Sequence, residues 1–449
     1  MKRLLIIFNL IIAFAMLTAC AGPVSPVNTP GTTPVTSPTS TPGSISNPQP
    51  TAVEISNKPH DTNPAATQDE LAKLVSGNTA FALDLYQALL KSNSGNLFYS
   101  PYSISIALAM AQAGARGDTL QQMNSVMHYT LPGNSLHTAF NALQLALASR
   151  EKNAGRPDVK DFQLNIANST WGQAGYKFLQ DYLDVLAVNY GAGLRLVDFK
   201  ADPEKARQLI NDWVAQQTAQ KIQDLIPQGG INDLTRLVLA NAIYFNAPWE
   251  HTFEAANTEN GPFTNLDGKQ SNVPMMKQQA SFPYTKSDGY QAIDLPYSGD
   301  KLSMIVVLPD SGQYDRIEKA FTPALLETIQ KNLQVASVNL ALPKFKVEST
   351  FSLGDELQKM GMPDVFDPAK ADLSGMDGSR SLYISSVAHK SYVSVDENGT
   401  EAAAATAVIV GTTSMPVEVI DLKIDRPFMF LIRDNVSGSI LFVARVVSL

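Results

Sequence analysis

The sequence predicts an α+β protein, and three observations support this fold class. Segments with helical periodicity and segments with strand periodicity alternate irregularly from residue 69 to residue 449. We find no internal repeat in this range and no linker that would divide it into two domains. A regular alternation of strands and helices would instead favour a doubly wound parallel sheet. We therefore expect one large α+β domain.

The first residues have the composition of an export signal. Lys2 and Arg3 precede an apolar run over residues 4–16, which is short for a bilayer span of about 20 residues. The sequence Leu-Thr-Ala-Cys then ends at Cys20, the only cysteine, and resembles a bacterial lipobox. We expect a lipoprotein signal peptide over residues 1–19 and lipidation of Cys20, which would anchor the chain to a membrane. The alternative is an ordinary signal with an incidental cysteine.

A tether is predicted to follow, from residue 20 to residue 67. Residues 21–50 are rich in Pro, Thr and Ser and contain no charged side chain, so they cannot bury a core.

Loss of Lys2 and Arg3 with the signal changes the formal net charge from −8 to −10. An acidic chain without a Lys/Arg cluster argues against nucleic acid as a partner. We expect an exported monomer, held by lipid at the cell membrane and facing the extracellular or periplasmic side.

The elements of the domain can be predicted in order along the chain. Helical periodicity begins at Asp69, and a second apolar helix follows Ser100 and Pro101 and ends near Gly114, where glycine provides a cap. Alternation and apolar runs then predict strands over residues 162–171, 194–199, 235–245 and 387–396, and helices over residues 176–190 and 203–217. The absence of further cysteines means that this domain folds without disulfides.

The segment from residue 397 to residue 413 is compatible with a strand or a loop. With a period of two, one set of side chains is small or β-branched, and the alternate set contains the single charge, Glu401. This pattern would allow the segment to enter a sheet with Glu401 on the solvated side. Taken alone, the Glu-Ala-Ala-Ala-Ala run also suits one turn of helix. The strand predicted before it, and the Asp-Arg-Pro-Phe run after it, favour the first interpretation.

The whole constellation resembles the serpin family. In that family a Glu-x-Gly-Thr-Glu-Ala-Ala-Ala-x-Thr run is the proximal hinge of the reactive-centre loop, and an Arg-Pro-Phe segment begins the C-terminal strands. Six further motifs follow in the family's order, at residues 96–103, 211–214, 239–245, 249–250, 273–276 and 371–376. The resemblance implies a serpin domain over residues 68–449, with about nine helices around three β-sheets, a large central mixed sheet and a loop near residues 397–420.

The resemblance assigns two sites to the central sheet. Ser100, Ser103, Asn241 and His389 match the shutter, a polar cluster beneath the middle of the sheet, where exchangeable hydrogen bonds would let two strands part. For His389 alone the alternative is a satisfied core histidine. Trp249 matches the breach at the top of the sheet, where the loop first enters, although a plain core tryptophan fits composition equally well.

The resemblance also assigns the hinge and the cleaved bond. The hinge residues are Glu397, Gly399, Thr400, Glu401, Ala402, Ala403, Ala404, Ala405 and Thr406. The family's spacings from the hinge glutamate and from Arg426 both give a reactive bond between Thr413 and Ser414, to within two residues. No Lys or Arg lies between residues 402 and 422, so trypsin-like proteases are disfavoured as targets. Elastase-like and subtilisin-like serine proteases fit, and papain-like cysteine proteases stay open.

The implied function is suicide inhibition of an endopeptidase, without a cofactor or a metal. The protease would form an acyl-enzyme with the loop, and the cleaved loop would then insert into the main sheet. One alternative is a non-inhibitory serpin that acts as a binding or structural protein. An enzyme is disfavoured, because the histidines lack metal-ligand spacing and no Gly-x-Ser-x-Gly elbow occurs.

Overall fold

The computed structural model describes residues 52–150, 163–400 and 418–449. Within these ranges the α-helices are α1 Gln68–Leu89, α2 Pro101–Gln112, α3 Gly117–Val126, α4 Asn134–Arg150, α5 Gln180–Tyr190, α6 Pro203–Gln217, α7 Tyr314–Lys319, α8 Pro323–Asn332, α9 Gly354–Met360 and α10 Ser374–Asp377. Local sequence explains where several of them begin. Thr67 and Glu70 form a reciprocal capping box at α1, and Ser100 and Asp202 cap α2 and α6 ahead of a proline.

The strands of the described residues form two hydrogen-bonded sheets. They are β1 Ala52–Glu54, β2 Leu97–Tyr99, β3 Gln163–Gln173, β4 Leu194–Val197, β5 Leu237–Pro248, β6 Glu259–Thr264, β7 Gln270–Ser287, β8 Tyr290–Pro296, β9 Leu302–Pro309, β10 Gln334–Pro343, β11 Phe345–Ser352, β12 Ile384–Asp396, β13 Gly399–Thr400, β14 Val419–Lys423, β15 Phe428–Asp434 and β16 Ile440–Val446. The seven-stranded sheet has the order β1-β4-β3-β5-β13-β12-β11, and the nine-stranded sheet contains β14-β10-β7-β8-β9-β15-β16-β2, with β6 beside β7.

The predicted α+β class and the implied fold are confirmed, with two differences in number. The described residues form ten α-helices rather than about nine. The three expected sheets appear as two, because the 18-residue strand β7 pairs with β6 and β10 and continues into pairing with β8. One uninterrupted strand therefore joins what would otherwise be two sheets.

The seven-stranded sheet separates two apolar layers. Its inner face belongs to the main core, which includes odd-numbered residues of β5 and β12 such as Leu239, Ile243 and Val393. Its outer face packs against α6 through a smaller cluster that includes Trp171, Val238 and Ala240. Successive side chains of a strand point to opposite faces, so the parity of a residue number tells which layer it enters.

Residues 52–67, which the sequence assigned to the tether, are ordered against the domain. Strand β1 pairs antiparallel with β4, and Asp61 N–H donates to the carbonyl of Val188. Lys58 forms a salt bridge of 2.6 Å with Asp184. The domain therefore begins well before residue 68. The signal peptide, Cys20 and the tether up to residue 51 lie outside the described residues and stay predictions.

Candidate functional site

The candidate site lies at the joint between β5 and β12, the two central strands of the seven-stranded sheet. These strands pair directly and in parallel, from Leu237 opposite Ile384 to Tyr244 opposite Tyr392. Above this joint the short strand β13 lies between them and pairs antiparallel with both. Thr400 is opposite Val395 of β12 and Ala247 of β5. The sheet is thus closed along most of the joint and already holds a third strand at one end.

Gly399 and Thr400 fit this position for different reasons. A Cβ atom added at Gly399 would lie 2.1 Å from the carbonyl oxygen of Ala247, so only glycine allows the backbone to approach β5 this closely. The Thr400 side chain is fully buried, and its hydroxyl forms a hydrogen bond of 2.8 Å with the Tyr297 hydroxyl. Both residues therefore belong to the packed body of the protein.

Trp249 holds the backbone just before β13. Its indole N–H donates to the carbonyl of Asp396 over 3.0 Å, and its backbone N–H donates to the carbonyl of Asn398 over 2.9 Å. The indole stacks on the Tyr297 ring, with centroids 4.6 Å apart and planes 8° from parallel. The predicted breach tryptophan is thus bonded to the chain that leads into the loop. A large aromatic with its N–H satisfied is stable when buried.

Glu397 is fixed by two side chains at the same end of the sheet. Lys344 contacts one carboxylate oxygen at 2.6 Å, and Thr258 donates to the other over 2.8 Å. Burial raises the pKa of Glu397, but the hydrogen bonds from Lys344, from the residue's own backbone N–H and from Thr258 together lower it more, so the net pKa is below its ordinary value. Its neighbour Asp396 is half-buried, and burial raises the pKa of that carboxyl.

A polar cluster spans the middle of the joint on its inner face, and we define it as Ser100, Ser103, Asn168, Asn241 and His389. Asn241 and His389 are directly opposite each other across β5 and β12 and are hydrogen-bonded. Asn241 also donates to Ser103 and to Asn168, and Ser103 donates to Asn168 over 3.1 Å. The four predicted shutter residues are therefore brought together, with Asn168 as a fifth member.

The hydrogen bonds define the protonation of His389. Ser100 N–H donates to Nε2 over 3.2 Å, so Nε2 carries no proton, and Nδ1–H donates to the Asn241 side-chain oxygen. The ring is fully buried, and burial lowers the pKa of His389 to about 3. It is consequently neutral at physiological pH and serves as a hydrogen-bonding group between the two strands. Its position does not suit a general base, because it is closed off from any substrate.

Sequence reasoning missed three contributors and predicted others that fall outside the described residues. Asn168 lies opposite Asn241 in the β3–β5 ladder, Tyr297 stacks on Trp249, and Lys344 pairs with Glu397. No sequence pattern indicates these partners, since each lies more than 45 residues from the residue that it contacts. Glu401, Ala402, Ala403, Ala404, Ala405, Thr406, Thr413 and Ser414 are outside the described residues, and their roles stay predictions.

Comparisons with known proteins give a consistent result. A family model described as "Serpin (serine protease inhibitor)" matches residues 76–449. An uncharacterized serpin-like protein of Thermococcus kodakarensis is 39% identical over 417 residues, which cover 90% of this chain and 95% of that protein. The leukocyte elastase inhibitor of Homo sapiens is 40% identical over 385 residues, which cover 84% and 99% of the two chains.

Solved structures agree with these sequence matches. The native state of the thermophilic serpin tengpin superposes with a TM-score of 0.76 at 28% identity and covers 88% of this chain and 98% of its own. Among the described residues, no helix combines the length and hydropathy needed to cross a bilayer.

Proposed function

The chain belongs to the serpin family of serine protease inhibitors, and on this premise we propose that it traps a protease by inserting its own cleaved loop between β5 and β12. The inhibitor is consumed in the process and turns over no substrate. The observation that carries the proposal is the two-residue strand β13, which pairs with both central strands directly above the closed joint.

The register of β13 defines where each later residue would arrive. Thr400 is paired antiparallel with Val395 and Ala247. If this pairing continued along the chain, residue 403 would lie opposite Tyr392 and Tyr244. The same register brings Thr406 opposite both His389 and Asn241, which already face each other across the joint. Continued in this way, both ladders would bring Thr406 to the same position, beside the polar cluster. Its hydroxyl can enter a network that the opening of the joint would leave incomplete.

The side chains that would enter each face fit that face. Even-numbered residues would follow Thr400 into the inner core, and they are Ala402, Ala404, Thr406, Val408 and Val410. Odd-numbered residues would face outward, so the single charge, Glu401, would avoid the core. A charge buried without a partner would cost several kcal/mol. The loop sequence is therefore compatible with insertion along the whole joint.

The energetics favour insertion once it can occur. One parallel ladder between β5 and β12 would be replaced by two antiparallel ladders, which are slightly more stable per residue. About ten additional ladder hydrogen bonds, at a net ~0.5–1.5 kcal/mol each, would contribute roughly 5–15 kcal/mol. Free energy of this size is sufficient to distort the catalytic site of an attached protease.

Chain length explains why the intact loop would not insert fully. After the loop the chain enters β14, which pairs with β10 in the other sheet. A strand over residues 401–413 would extend about 43 Å, at 3.3 Å per residue, while residues 414–418 reach about 18 Å. Full insertion of an uncut loop would therefore pull β14 away from β10. Cleavage removes this connection.

The chemical step belongs to the protease. Its nucleophilic serine would attack the carbonyl carbon of Thr413, the Thr413–Ser414 peptide bond would break, and the amine of Ser414 would leave with a proton. The acyl group stays on the enzyme. Insertion has to be faster than attack of water on this ester. The hinge alanines would favour fast insertion, because an alanine loses almost no side-chain entropy when it is buried.

The target is proposed to accept small or apolar residues. The loop lacks Lys and Arg between residues 402 and 422, and a relative 40% identical to this chain is named for inhibition of leukocyte elastase. Elastase-like and subtilisin-like serine proteases are the first choice, and papain-like cysteine proteases the second.

We further propose that a signal peptide directs export and that lipid on Cys20 anchors the inhibitor to the cell membrane, through a tether that extends to about residue 51.

The test is incubation with one protease of each of these three classes. We expect an adduct that survives SDS with at least one of them, and a new N-terminus at Ser414 or within two residues of it. Complete cleavage in the loop without an adduct, for all three classes, would contradict trapping and favour a non-inhibitory binding protein. Chemical removal of lipid from the purified membrane form tests the anchor separately.

A further inference from the structure

The tripeptide Glu-Asn-Gly occurs at two places in the chain, and the structure gives the two copies different surroundings. One copy, residues 259–261, lies in strand β6 and pairs with β7 in a regular ladder. The other copy, residues 397–399, lies in the turn that joins β12 to β13, where Asp396 and Gly399 face each other. A difference in reactivity between the two copies would therefore come mainly from the fold.

An asparagine that is followed by glycine can modify itself. The backbone nitrogen of the glycine attacks the side-chain carbon Cγ of the asparagine, because glycine has no Cβ to block this approach. A bond forms between the nitrogen and Cγ, the bond from Cγ to Nδ2 breaks, and ammonia leaves with the proton that the backbone nitrogen has lost. Water from the solvent then opens the cyclic succinimide to aspartate or isoaspartate. Groups that favour loss of the backbone proton accelerate the reaction.

Two groups favour loss of the proton from the peptide group between Asn398 and Gly399. The backbone N–H of Trp249 donates to the Asn398 carbonyl over 2.9 Å, at the oxygen where negative charge develops when the nitrogen is deprotonated. The Asp396 carboxylate accepts the N–H of Asn398 over 2.9 Å and also faces the N–H of Gly399. A donor at the oxygen and a base beside the nitrogen thus act on the same peptide group.

The Asn398 side chain is available for this attack. It is partly exposed, and its carboxamide forms no hydrogen bond with another described residue. No such bond therefore has to break before Cγ turns toward the Gly399 nitrogen. The partial exposure also lets water reach the succinimide and open it.

The copy in β6 lacks this arrangement. Among the residues that the structure describes, no carboxylate accepts a hydrogen bond from the backbone N–H of Asn260 or of Gly261. The neighbouring Glu259 carboxylate is instead held by Lys277, with 2.5 Å between Oε2 and Nζ. Asn260 is exposed, so solvent reaches both copies. The base beside the glycine nitrogen distinguishes them.

We propose that Asn398–Gly399 is a deamidation site that the fold accelerates, and that its conversion to isoaspartate ends the working life of the inhibitor. In isoaspartate the main chain passes through the side-chain methylene and gains a backbone atom before Gly399. Strand β13 has no room for this atom, since only glycine lets the backbone approach Ala247 so closely. The hinge would therefore leave its place between β5 and β12. The loss of trapping rests on the proposed function, whereas the modification does not.

The first experiment follows both copies in one sample. The folded chain is incubated at pH 8 and 37 °C, and peptide mapping by mass spectrometry measures aspartate and isoaspartate at residues 398 and 260. We expect Asn398 to convert at least about tenfold faster than Asn260 in the folded chain, and at the same rate in urea. A folded chain in which Asn398 converts no faster than Asn260 would overturn the inference.

Asp396→Asn tests the base. It should slow the conversion of Asn398 at least about tenfold and leave Asn260 unaltered, so that Asn260 reports on any general loosening of the fold. Glu397→Gln is the matched control, because it removes the same charge from the adjacent carboxylate, which is bound to other side chains. In this variant Asn398 should convert at close to the parent's rate. Equal rates for Asn398 in the parent and in Asp396→Asn would contradict acceleration by the fold.

The second experiment asks whether the modification stops trapping. A glutamine closes to a larger ring and does so much more slowly, so Asn398→Gln should keep its proportion of adduct after the same incubation. The aged parent should lose adduct in step with the rise in isoaspartate. A fully converted parent that still traps like fresh chain would overturn this second half of the inference.

Fresh chain separates the two proposals. Conversion of Asn398 in a chain that forms no adduct when fresh would remove trapping and leave the deamidation site. Adducts from a chain whose Asn398 does not convert would do the reverse.

Discussion

Thr400 is the last described residue before the loop, and in the intact chain it already lies between β5 and β12. Its side chain is buried against Tyr297, and the chain beyond it is where the loop would continue into the joint. We expect Thr400→Arg to turn the inhibitor into a substrate, because a buried, unpaired guanidinium costs several kcal/mol and would drive the hinge out from between β5 and β12 both before and after cleavage. The ratio of adduct to cleaved chain should fall at least about tenfold on SDS gels.

Thr400→Ser is the matched variant, since it keeps the hydroxyl that bonds Tyr297. It should trap the protease nearly as well as the parent. If Thr400→Arg instead forms adducts in the parent's proportion, insertion through β13 is wrong. Ala402→Asp is expected to act in the same direction, as the next inward-facing residue in the register.

His389 should make stability depend on pH. Its pKa is about 3 in the folded chain and about 6.5 when unfolded, so below pH 6.5 only the unfolded chain takes up the proton. The contribution to stability is complete above pH 6.5 and is lost as the pH falls toward 3. Between pH 6.5 and pH 5 one such group lowers the free energy of unfolding by about 1.5–2 kcal/mol.

The measurement is the midpoint of urea unfolding at several pH values, for the parent and for His389→Gln. The variant should be less stable at pH 7.5, because the bonds to Ser100 and Asn241 are altered, yet its midpoint should change less between pH 6.5 and pH 5. Another buried histidine, His137, has a pKa lowered by burial to about 4 and contributes equally to both chains. Identical pH profiles would contradict the assignment.

At the scale of elements, the segment over residues 52–67 shows how an edge of the sheet is closed. Strand β1 adds to β4, His60 forms a hydrogen bond of 2.8 Å with Asn141, and Lys58 pairs with Asp184. The composition of this segment is polar, which is why its sequence favoured a tether. Its order comes from backbone pairing and from a few polar contacts with α4 and α5, rather than from buried apolar side chains.

Gly193 allows this segment to lie close to the domain. A Cβ atom there would lie 2.8 Å from the carbonyl oxygen of Glu54 and 3.1 Å from a methyl group of Val53. We expect Gly193→Ala to displace β1 and to lower the free energy of unfolding by about 1–3 kcal/mol, through lost backbone hydrogen bonds. Urea unfolding of the full chain measures this loss.

The same substitution provides its own control in a chain that begins at residue 67. Without β1 the three atoms nearest to the new methyl group, from Val53, Glu54 and Ile55, are gone, so Gly193→Ala should change stability by less than about 0.5 kcal/mol in that background. An equal loss in both backgrounds would mean that the glycine serves the β4 backbone itself, and not the segment packed against it.

At the scale of the whole molecule, loop insertion predicts that cutting the chain makes it more stable. The estimated gain of 5–15 kcal/mol from new ladder bonds should raise the melting temperature by at least about 10 °C, even though each kcal/mol shifts a large domain by only about 2 °C. Scanning calorimetry before and after limited proteolysis in the loop measures this change, at one fixed scan rate.

Thr400→Arg, cleaved in the same way, is the reference for this measurement. Its melting temperature should rise by much less, because the cut segment cannot pass the hinge. A cleaved parent that melts at or below the temperature of the intact chain would show that the joint between β5 and β12 stays closed after cleavage.

Much of the fold could be predicted because its elements are specified locally. Helix α6 begins and ends where the sequence predicts, since Asp202 caps it, Pro203 occupies its first turn and its apolar spacing is regular. Helix α5 begins four residues later than predicted and β5 extends three residues further, to Pro248. Both limits depend on tertiary neighbours: the backbone of Leu179 bonds to Met376, and the end of β5 pairs with β13.

The sequence by itself determined the α+β class, the order of most elements and the small, uncharged alternate positions of the loop, because these follow from periodicity and composition, while the candidate shutter and breach residues came from motifs that resemble the family's. The tertiary structure decided the partners: Asn168 in the polar cluster, Lys344 on Glu397, Tyr297 on Trp249, and the pairing of β13 with both β5 and β12. Contacts between distant segments depend on how the strands are ordered in the sheet, and that order is settled only when the whole chain packs.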